Sequence, residues 1–580
     1  MNDTNDVPVA GAARGKSHAA NGMRRRVVSG AVSPGRTAGH QAASAVARGA
    51  GRGTGQACLE VVLGVAAFAV LCIAVLSVRP QLVEPDDYAY RASIVAMTQG
   101  HFLTLSTAQV HALATQLARC RPSARCSVRT GSGPLGGSIE QWVQLSGGQW
   151  ISEKDPGYPF LAAPFQLLGI IRLAPPFYGA LGCAGLFFGA RRWLGRFGGA
   201  TAVGLFCSSG AALLFAWRDY MPTFTEASLI AAGAGALLWA VLAIEASARR
   251  RTWIGLLGFL AIEAAVFARY TNVVVLGCAA VAVLAVRWLW AASMPPAALG
   301  WWLGSVALFG TGLAVFDDLV YGGPLKSGYR PGQITFSLSA ILPNLRHMPA
   351  HLIRAMPMLV LGLAGLAWIA WRRVRLRLAA GEQGGVARRD FAVGLTLAAS
   401  WLSVWMLYAA YTWTAQPGLS TLQTARFYVP ATGAIALLGA WLTVRIPHRA
   451  SLAAVAPAAA VVAMLGLGVW SFSDMLNPQN PGSPPPHCNI GDPRCPGRIQ
   501  PGGQAEPPVP TRTAQVAARR RAVTDAGQLP SACQRRAAAV PESSHRRTAQ
   551  QLAAGQIEPA AGTQKAGSAW AAHALAQREP

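Results

Sequence analysis

Lysine is almost missing from this chain. Among 580 residues it occurs only as Lys16, Lys154, Lys326 and Lys565, although Lys and Arg together number 50 against 24 acids. Arginine therefore carries nearly all of the formal charge of +26. A surplus of that size raises the question of nucleic-acid binding. Its distribution points elsewhere, because the arginines sit in two tails and in short clusters between apolar runs, as membrane topology requires. Charged residues of all kinds amount to only 13%, hydrophobic ones to 52%, and the mean hydropathy is +0.32. The ten cysteines fit no familiar zinc spacing.

What is present is a series of apolar runs about long enough to cross a bilayer. The sequence predicts an all-α polytopic membrane protein with about eleven spans. They lie near 59–78, 174–190, 198–216, 223–246, 253–268, 271–290, 297–316, 352–371, 391–411, 427–444 and 451–472, the fifth being short for a full crossing. Residues 1–57 read as a disordered basic tail, 58–472 as the membrane-embedded domain and 473–580 as a second disordered tail. Arginine clusters fall at alternate junctions: Arg24 to Arg26, Arg191 with Arg192 and Arg196, Arg249 to Arg251, Arg372 with Arg373, Arg375 and Arg377, and Arg445 with Arg449. The positive-inside rule then places the N-terminus in the cytoplasm and the C-terminus outside.

The remaining junctions become external, and they differ in content. They hold EPDDYAY (84–90), SEKDPGYPF (152–160), WRDYMPTFTE (217–226), ARYTN (268–272), FDDLVYGGPLKSGYRPG (316–332) and QTARFYVP (423–430). An aromatic belt explains the tyrosines; it does not explain carboxylates at four of six junctions. The first external loop, 80–157, is too long to be structureless without a function. Within it a helix is predicted from Pro85 to Gln99, a second from the caps Ser106 and Thr107 to Arg119, and a hairpin over 139–152 around Gly147 and Gly148. A proline-broken apolar helix lying in the interface follows over 155–176.

Two readings of EPDDYAYRAS stay open. Pro85 and the acids after it suit the first turn of a helix; they equally suit a catalytic site at the membrane surface. Arg218 with Asp219, and Glu153 with Lys154, read as local ion pairs. Glu263 falls inside a span, where acids are functional or paired.

The arrangement resembles the C-type (GT-C) integral-membrane glycosyltransferases, in particular bacterial protein O-mannosyltransferases and aminoarabinose transferases. The matching segments are Asp86-Asp87 with Tyr88 and Tyr90 after the first span, Lys154 to Pro159, Arg269 to Asn272, Tyr321 to Tyr329, and Arg426 to Tyr428. The resemblance covers 59–472 and neither tail. It departs in having Asp-Asp where many relatives have Asp-Glu, and in having no folded soluble domain after the last span.

The resemblance implies a sugar transferred from a polyprenyl-phosphate donor to an acceptor hydroxyl of a glycan, lipid or protein at the outer face of the cytoplasmic membrane. Such chemistry needs a base for the acceptor proton and cations for the departing phosphate. Asp86 is the candidate base and Asp87 its support. Lys326, Arg269, Arg426 and Tyr329 are candidate phosphate contacts, and Lys154, Asp155, Asp317 and Asp318 candidate supports. No cofactor is assigned; a divalent ion on Asp86 is the alternative that hard carboxylate oxygens allow, though two acids are a poor ligand set. Cys120 with Cys126, and Cys488 with Cys495, are spaced to close small disulfides outside; Cys533 is left over. Cys72, Cys183, Cys207 and Cys278 read as packing within spans. The competing readings are a secondary transporter, which would carry its ionisable groups near the midplane, and a non-catalytic envelope protein that binds lipid-linked saccharides.

Overall fold

The computed structural model describes residues 37–80, 85–118 apart from 103, 130–131, 138–139 and 141–476, with interruptions at 146–147, 196, 290–294, 325, 330–333, 376–381, 417–418 and 447–454. α1 (Thr37–Ser77) leads into a loop layer of α2 (Pro85–Thr98), β1 (Thr104–Ser106), α3 (Thr107–Ala118), β2 (Thr130–Gly131), β3 (Ser138–Ile139), β4 (Trp142–Gln144) and β5 (Gln149–Ser152). The chain continues through α4 (Gly157–Leu167), α5 (Ala174–Leu194), α6 (Gly198–Cys207), α7 (Gly210–Trp217), α8 (Thr223–Leu242), α9 (Ala248–Ala268) and α10 (Val273–Leu289). It ends with α11 (Pro296–Tyr321), α12 (Ile341–Ala355), α13 (Leu359–Arg375), α14 (Glu382–Ala409), α15 (Thr421–Ala425), α16 (Thr432–Arg445) and α17 (Val455–Leu476). Helix begins at Thr37, inside the segment expected as tail, and its membrane-length apolar part starts at Ala57. The second tail and both candidate disulfides lie outside the described residues.

Within the described residues every apolar run is helical, but two of the runs are bent rather than straight. Eight helices among the described residues are long and apolar enough to cross a membrane, or up to ten if each of two bent pairs counts as one. The run at 198–216 is α6 plus α7, bent by 63°. Its break falls at Ser208 and Ser209, where the Ser209 hydroxyl accepts the Ala212 N–H and starts a new helix. The run at 352–371 spans the junction of α12 and α13, bent by 108°. Pro357 supplies no N–H and pushes Met356 out of helical geometry, to φ −136° and ψ 72°. The run at 427–444 is a shorter apolar helix, Val429–Arg445. The fifth run is longer than expected, because the Ser247 hydroxyl caps α9 at the Arg250 N–H and takes Arg249 to Arg251 into its first turn. Glu263, buried within α9, accepts a hydrogen bond from Ser305 of α11 at 2.9 Å, so it is the paired kind of intramembrane acid.

In a bundle packed without a hydrophobic driving force between helices, small residues set how closely backbones approach. α5 and α8 meet this way: a Cβ on Gly235 would sit 2.0 Å from the Gly185 carbonyl oxygen.

The loop layer is the part that positions the site. β1, β5 and β4 form an antiparallel sheet in the order β1-β5-β4, with Val143 opposite Ile151, as the hairpin pattern predicts. Its inner face buries Leu105, Trp142 and Trp150 against Val110 and Leu113 of α3 and Ala92 and Ala96 of α2. A second apolar cluster, Tyr90, Ile94, Tyr158, Ala162, Met221 and Ala268, ties α2 and α4 to the ends of α7 and α9. The contact is closest at Gly157, where an added Cβ would lie 2.3 Å from the Phe267 carbonyl carbon. Backbone cannot yield as a side chain can. Gly157→Ala should therefore lower the thermal stability of the detergent-solubilised protein by about 1–3 kcal/mol or more. Gly277→Ala, where nothing lies within 4 Å, should leave it unchanged; equal melting of the two variants would contradict this docking.

Candidate active site

Asp86 and Asp87 are both in the first turn of α2, as Pro85 and the dipole predict. Successive helical residues point about 100° apart, and the two carboxylates go to different partners. Asp87 takes both oxygens to Arg218: Nε to Oδ1 at 3.2 Å and Nη2 to Oδ2 at 2.6 Å. The side chains are 1% and 0% exposed, and the guanidinium also lies 5.5 Å from the Phe215 ring centre. A two-point pair without access to solvent holds structure rather than substrate. The local Arg218–Asp219 pair expected from sequence does not form; the Asp219 backbone carbonyl instead accepts the Tyr158 hydroxyl, and burial pushes the Asp219 carboxyl up to about 7.

Asp86 faces a cluster of cations. Lys154 Nζ lies 2.9 Å from Oδ1 and Arg426 Nη1 2.8 Å from Oδ2, and Gln141 Nε2 donates to Oδ1 at 3.0 Å. Burial alone would raise the Asp86 pKa; Lys154 and then Arg426 outweigh it and hold the carboxyl well below the usual carboxylate range. Lys154 also donates to the Tyr329 hydroxyl at 3.1 Å. Its own pKa would fall on burial, but Asp86 more than compensates and keeps it charged. Arg426 is packed between aromatic rings, 4.7 Å from the Phe427 centre and 5.1 Å from that of Trp413, a cation–π setting that fixes its plane.

A second layer lies beside this one. Arg269, at the end of α9, pairs with Glu226 of α8 at 2.9 Å and donates to the Thr223 hydroxyl at 3.2 Å and the Arg426 carbonyl at 3.4 Å. Asn272 donates to the other Glu226 oxygen at 2.7 Å, so the RYTN junction locks α8 to the α9–α10 turn. Asp155 accepts the Tyr270 N–H at 3.3 Å, and burial pushes its carboxyl up to about 7 despite that bond and the nearby Arg269 and Lys154. Asp317 accepts the Tyr270 hydroxyl at 3.0 Å.

Asp86, Lys154, Asp155, Arg269, Arg426 and Tyr329 are thus brought together, with Asp317 one residue behind. Lys326 and Asp318 are not. Lys326 is exposed and donates to the Gly322 carbonyl of its own turn at 2.9 Å; Asp318 points to the exposed side of α11. The segment ends inside the site because Gly328 packs directly on Glu153, where a Cβ would be 2.7 Å from its Cα. Lys154, read as a local partner of Glu153, is instead the ammonium group against Asp86. Sequence reasoning missed Gln141 and gave Glu226 no role; Gln141 carries no sequence signal, while Glu226 stood among the external-junction acids. The donor set is poor for a divalent ion, since Asp86 faces two cations and no three His, Cys, Asp or Glu side chains gather as ligands among the described residues.

No family model matches the chain, and no curated protein matches its sequence. Solved structures similar to it include ArnT from Cupriavidus metallidurans in the apo state, at 16% identity over 68% of this chain and 61% of that one, with a TM-score of 0.39. The same protein bound to undecaprenyl phosphate is similar at 14% identity over the same shares, with a TM-score of 0.39. The Archaeoglobus fulgidus oligosaccharyltransferase in the apo form is similar at 12% identity over 76% of this chain and 62% of that one, with a TM-score of 0.40. The chain spans about three fifths of the length of these structures. With overlap this partial, the chain's own residues carry the chemistry.

Two outcomes follow from this geometry. Asp87→Asn removes the charge facing a fully buried guanidinium and should cost about 3–5 kcal/mol, read as loss of monodisperse protein after solubilisation; normal yield and melting would remove Asp87 from its structural role. The second concerns Asp155, whose folded pKa is raised from 3.8 to about 7. Its contribution to stability is complete below the unfolded pKa and is lost as pH rises through about 7. Melting temperature should accordingly fall between pH 5 and 7, and Asp155→Asn should flatten that slope.

Proposed function

We propose that the chain is a membrane glycosyltransferase that moves a sugar from a polyprenyl-phosphate donor to an acceptor hydroxyl at the outer face of the cytoplasmic membrane, with the N-terminus inside. The observation that carries this reading is Asp86 held between Lys154 and Arg426, at the junction of the segments that resemble the GT-C enzymes. One carboxylate against two cations leaves a surplus positive charge in a buried place, with Tyr329 as a further polar contact. That surplus suits a phosphate, which two charge-assisted contacts would hold as it becomes the leaving group. Arg269 sits behind them, its charge already matched by Glu226.

The membrane side of the cluster supports a lipid donor. An apolar cleft of about 330 Å³ runs among α8, α9, α10, α14 and α16, lined by Ile230, Val275, Leu397, Pro430 and Ala434 among others. Ile230 lies one helical turn beyond Glu226 on α8, so the lining of the cleft comes within a turn of the Glu226–Arg269 pair. A polyprenyl chain in it would bring its phosphate to Lys154 and Arg426. The secondary-transporter reading fares less well, because the clustered charges lie at helix ends rather than at mid-span. Asp86 takes the acceptor's proton in this scheme; Asp155, with its pKa near neutrality, is the second carboxylate in reach of that role.

Lys154→Gln and Arg426→Gln should each weaken undecaprenyl phosphate binding roughly ten- to a hundred-fold, as expected for a lost charge-assisted contact of about 1.5–3 kcal/mol. Lys326→Ala should change it little. In a transfer assay, Asp86→Asn should lower turnover by about 10²–10⁴-fold. Transfer that survives Asp86→Asn and fails in Asp155→Asn would move the base to Asp155, and unaltered lipid binding in both cation variants would remove the phosphate site.

A further inference from the structure

Asp86 presents a difficulty for its own proposed role: a carboxylate engaged by an ammonium and a guanidinium is a weak base. The way its contacts divide between the two oxygens resolves this. Oδ1 receives Lys154 and the Gln141 amide, while Oδ2 receives Arg426. A donor phosphate that draws Lys154 and Arg426 to itself leaves one of these contacts in place, that from Gln141.

We infer that Gln141 is a positioning residue, the neutral clamp that keeps Asp86 aligned on Oδ1 after the donor phosphate has taken its cations, so that Oδ2 is the oxygen that receives the acceptor's proton. Three observations on Gln141 itself support this. Its backbone is left-handed, with φ 59°, one of two such non-glycine residues among those described. Strain of that kind persists where surrounding contacts impose it, and it gathers at functional sites. Its carbonyl accepts the Glu153 N–H at 2.8 Å, which fixes it beside Lys154 across the hairpin. Its side-chain oxygen is buried without a hydrogen-bond partner. The amide cannot be turned to relieve this, because the carboxylate only accepts. The side chain is therefore held for what its N–H does to Asp86.

The inference rests on the proposed transfer reaction. The acceptor O–H gives its proton to Asp86 Oδ2, and the acceptor oxygen bonds to the anomeric carbon. The bond from that carbon to the phosphate oxygen breaks, and its electron pair leaves on the phosphate held by Lys154 and Arg426. Lys154, Arg426, Arg269 at the α9 end, Tyr90 on α2, Tyr329 after α11 and Tyr411 after α14 are titratable groups around Asp86, with Asp155 on the far side of Lys154 and Arg269. Once the two nearest cations are shared with phosphate, the amide N–H is what still favours the ionised carboxylate.

Gln141→Gly is the decisive variant, since glycine accepts positive φ without strain and removes only the clamp. The test uses the full chain in liposomes, with undecaprenyl-phosphate-linked mannose, glucose and arabinose as donors and release of undecaprenyl phosphate as the signal. Turnover should fall about ten- to a hundred-fold, with the donor KM within about threefold of wild type. The acidic limb of the kcat profile should move to higher pH, because losing a donor to the ionised form raises the carboxyl pKa. Unchanged kcat and limb, or a kcat loss matched by loss of folded protein with the limb in place, would overturn the clamp. Wild-type protein that binds undecaprenyl phosphate with dependence on Lys154 and Arg426 keeps the transferase reading alive in either case. Failure of the wild type to bind it, or to act on any of these donors, overturns both.

Discussion

Two neighbouring carboxylates on a helix cannot point the same way, and the arrangement of this site depends on that constraint. Asp87 turns into the protein and meets Arg218, from the end of α7, through two contacts away from solvent. That pair fixes the rotation of α2 about its axis. Asp86 is consequently aimed about 100° away round the helix, where Lys154 arrives from the turn after β5 and Arg426 from the turn after α15. Segments hundreds of residues apart thus converge on one oxygen pair because an adjacent residue is anchored.

The electrostatics of the cluster are a balance of large opposing effects. Burial disfavours charge on every group in it, and Asp86 and Lys154 are ionised because each lies within hydrogen-bonding distance of an opposite charge. Asp86 ends far below its usual range, whereas Asp155, with a backbone N–H as its nearest partner, ends near 7. Two carboxyl groups of one cluster therefore titrate in different pH ranges. Glu226 and Arg269 form a separate closed pair, which holds the helix ends that frame the site.

The loop layer and the bundle are joined by apolar contact rather than by charge. Tyr90 stands edge-on to Tyr158 at 5.8 Å, inside the cluster that includes Met221 and Ala268. Gly157 permits α4 to rest on the end of α9 at backbone distance. Lys154 and Asp155 immediately precede that contact, so packing at Gly157 sets where their side chains begin.

The sequence by itself determined the helical membrane architecture, the hairpin over 139–152, the start of α2 at Pro85 and most residues of the cluster. Each follows from a local cause: apolar run length, period-two alternation, proline at the first helical position, and acids or arginines beside aromatics at helix ends. Helix bends were less legible, because a serine pair or Pro357 interrupts a run without changing its hydropathy. Which charges pair was decided only by the tertiary structure. Arg218 meets Asp87 rather than its neighbour Asp219, Lys154 meets Asp86 rather than Glu153, and Lys326, within the most specific motif, stays outside. Gln141 had no sequence signal at all, since an ordinary polar residue becomes part of a site only when the backbone places its amide 3.0 Å from a carboxylate 55 residues away. Local physics fixes what a segment forms; partners distant in sequence are chosen by how helix ends and the loop layer pack.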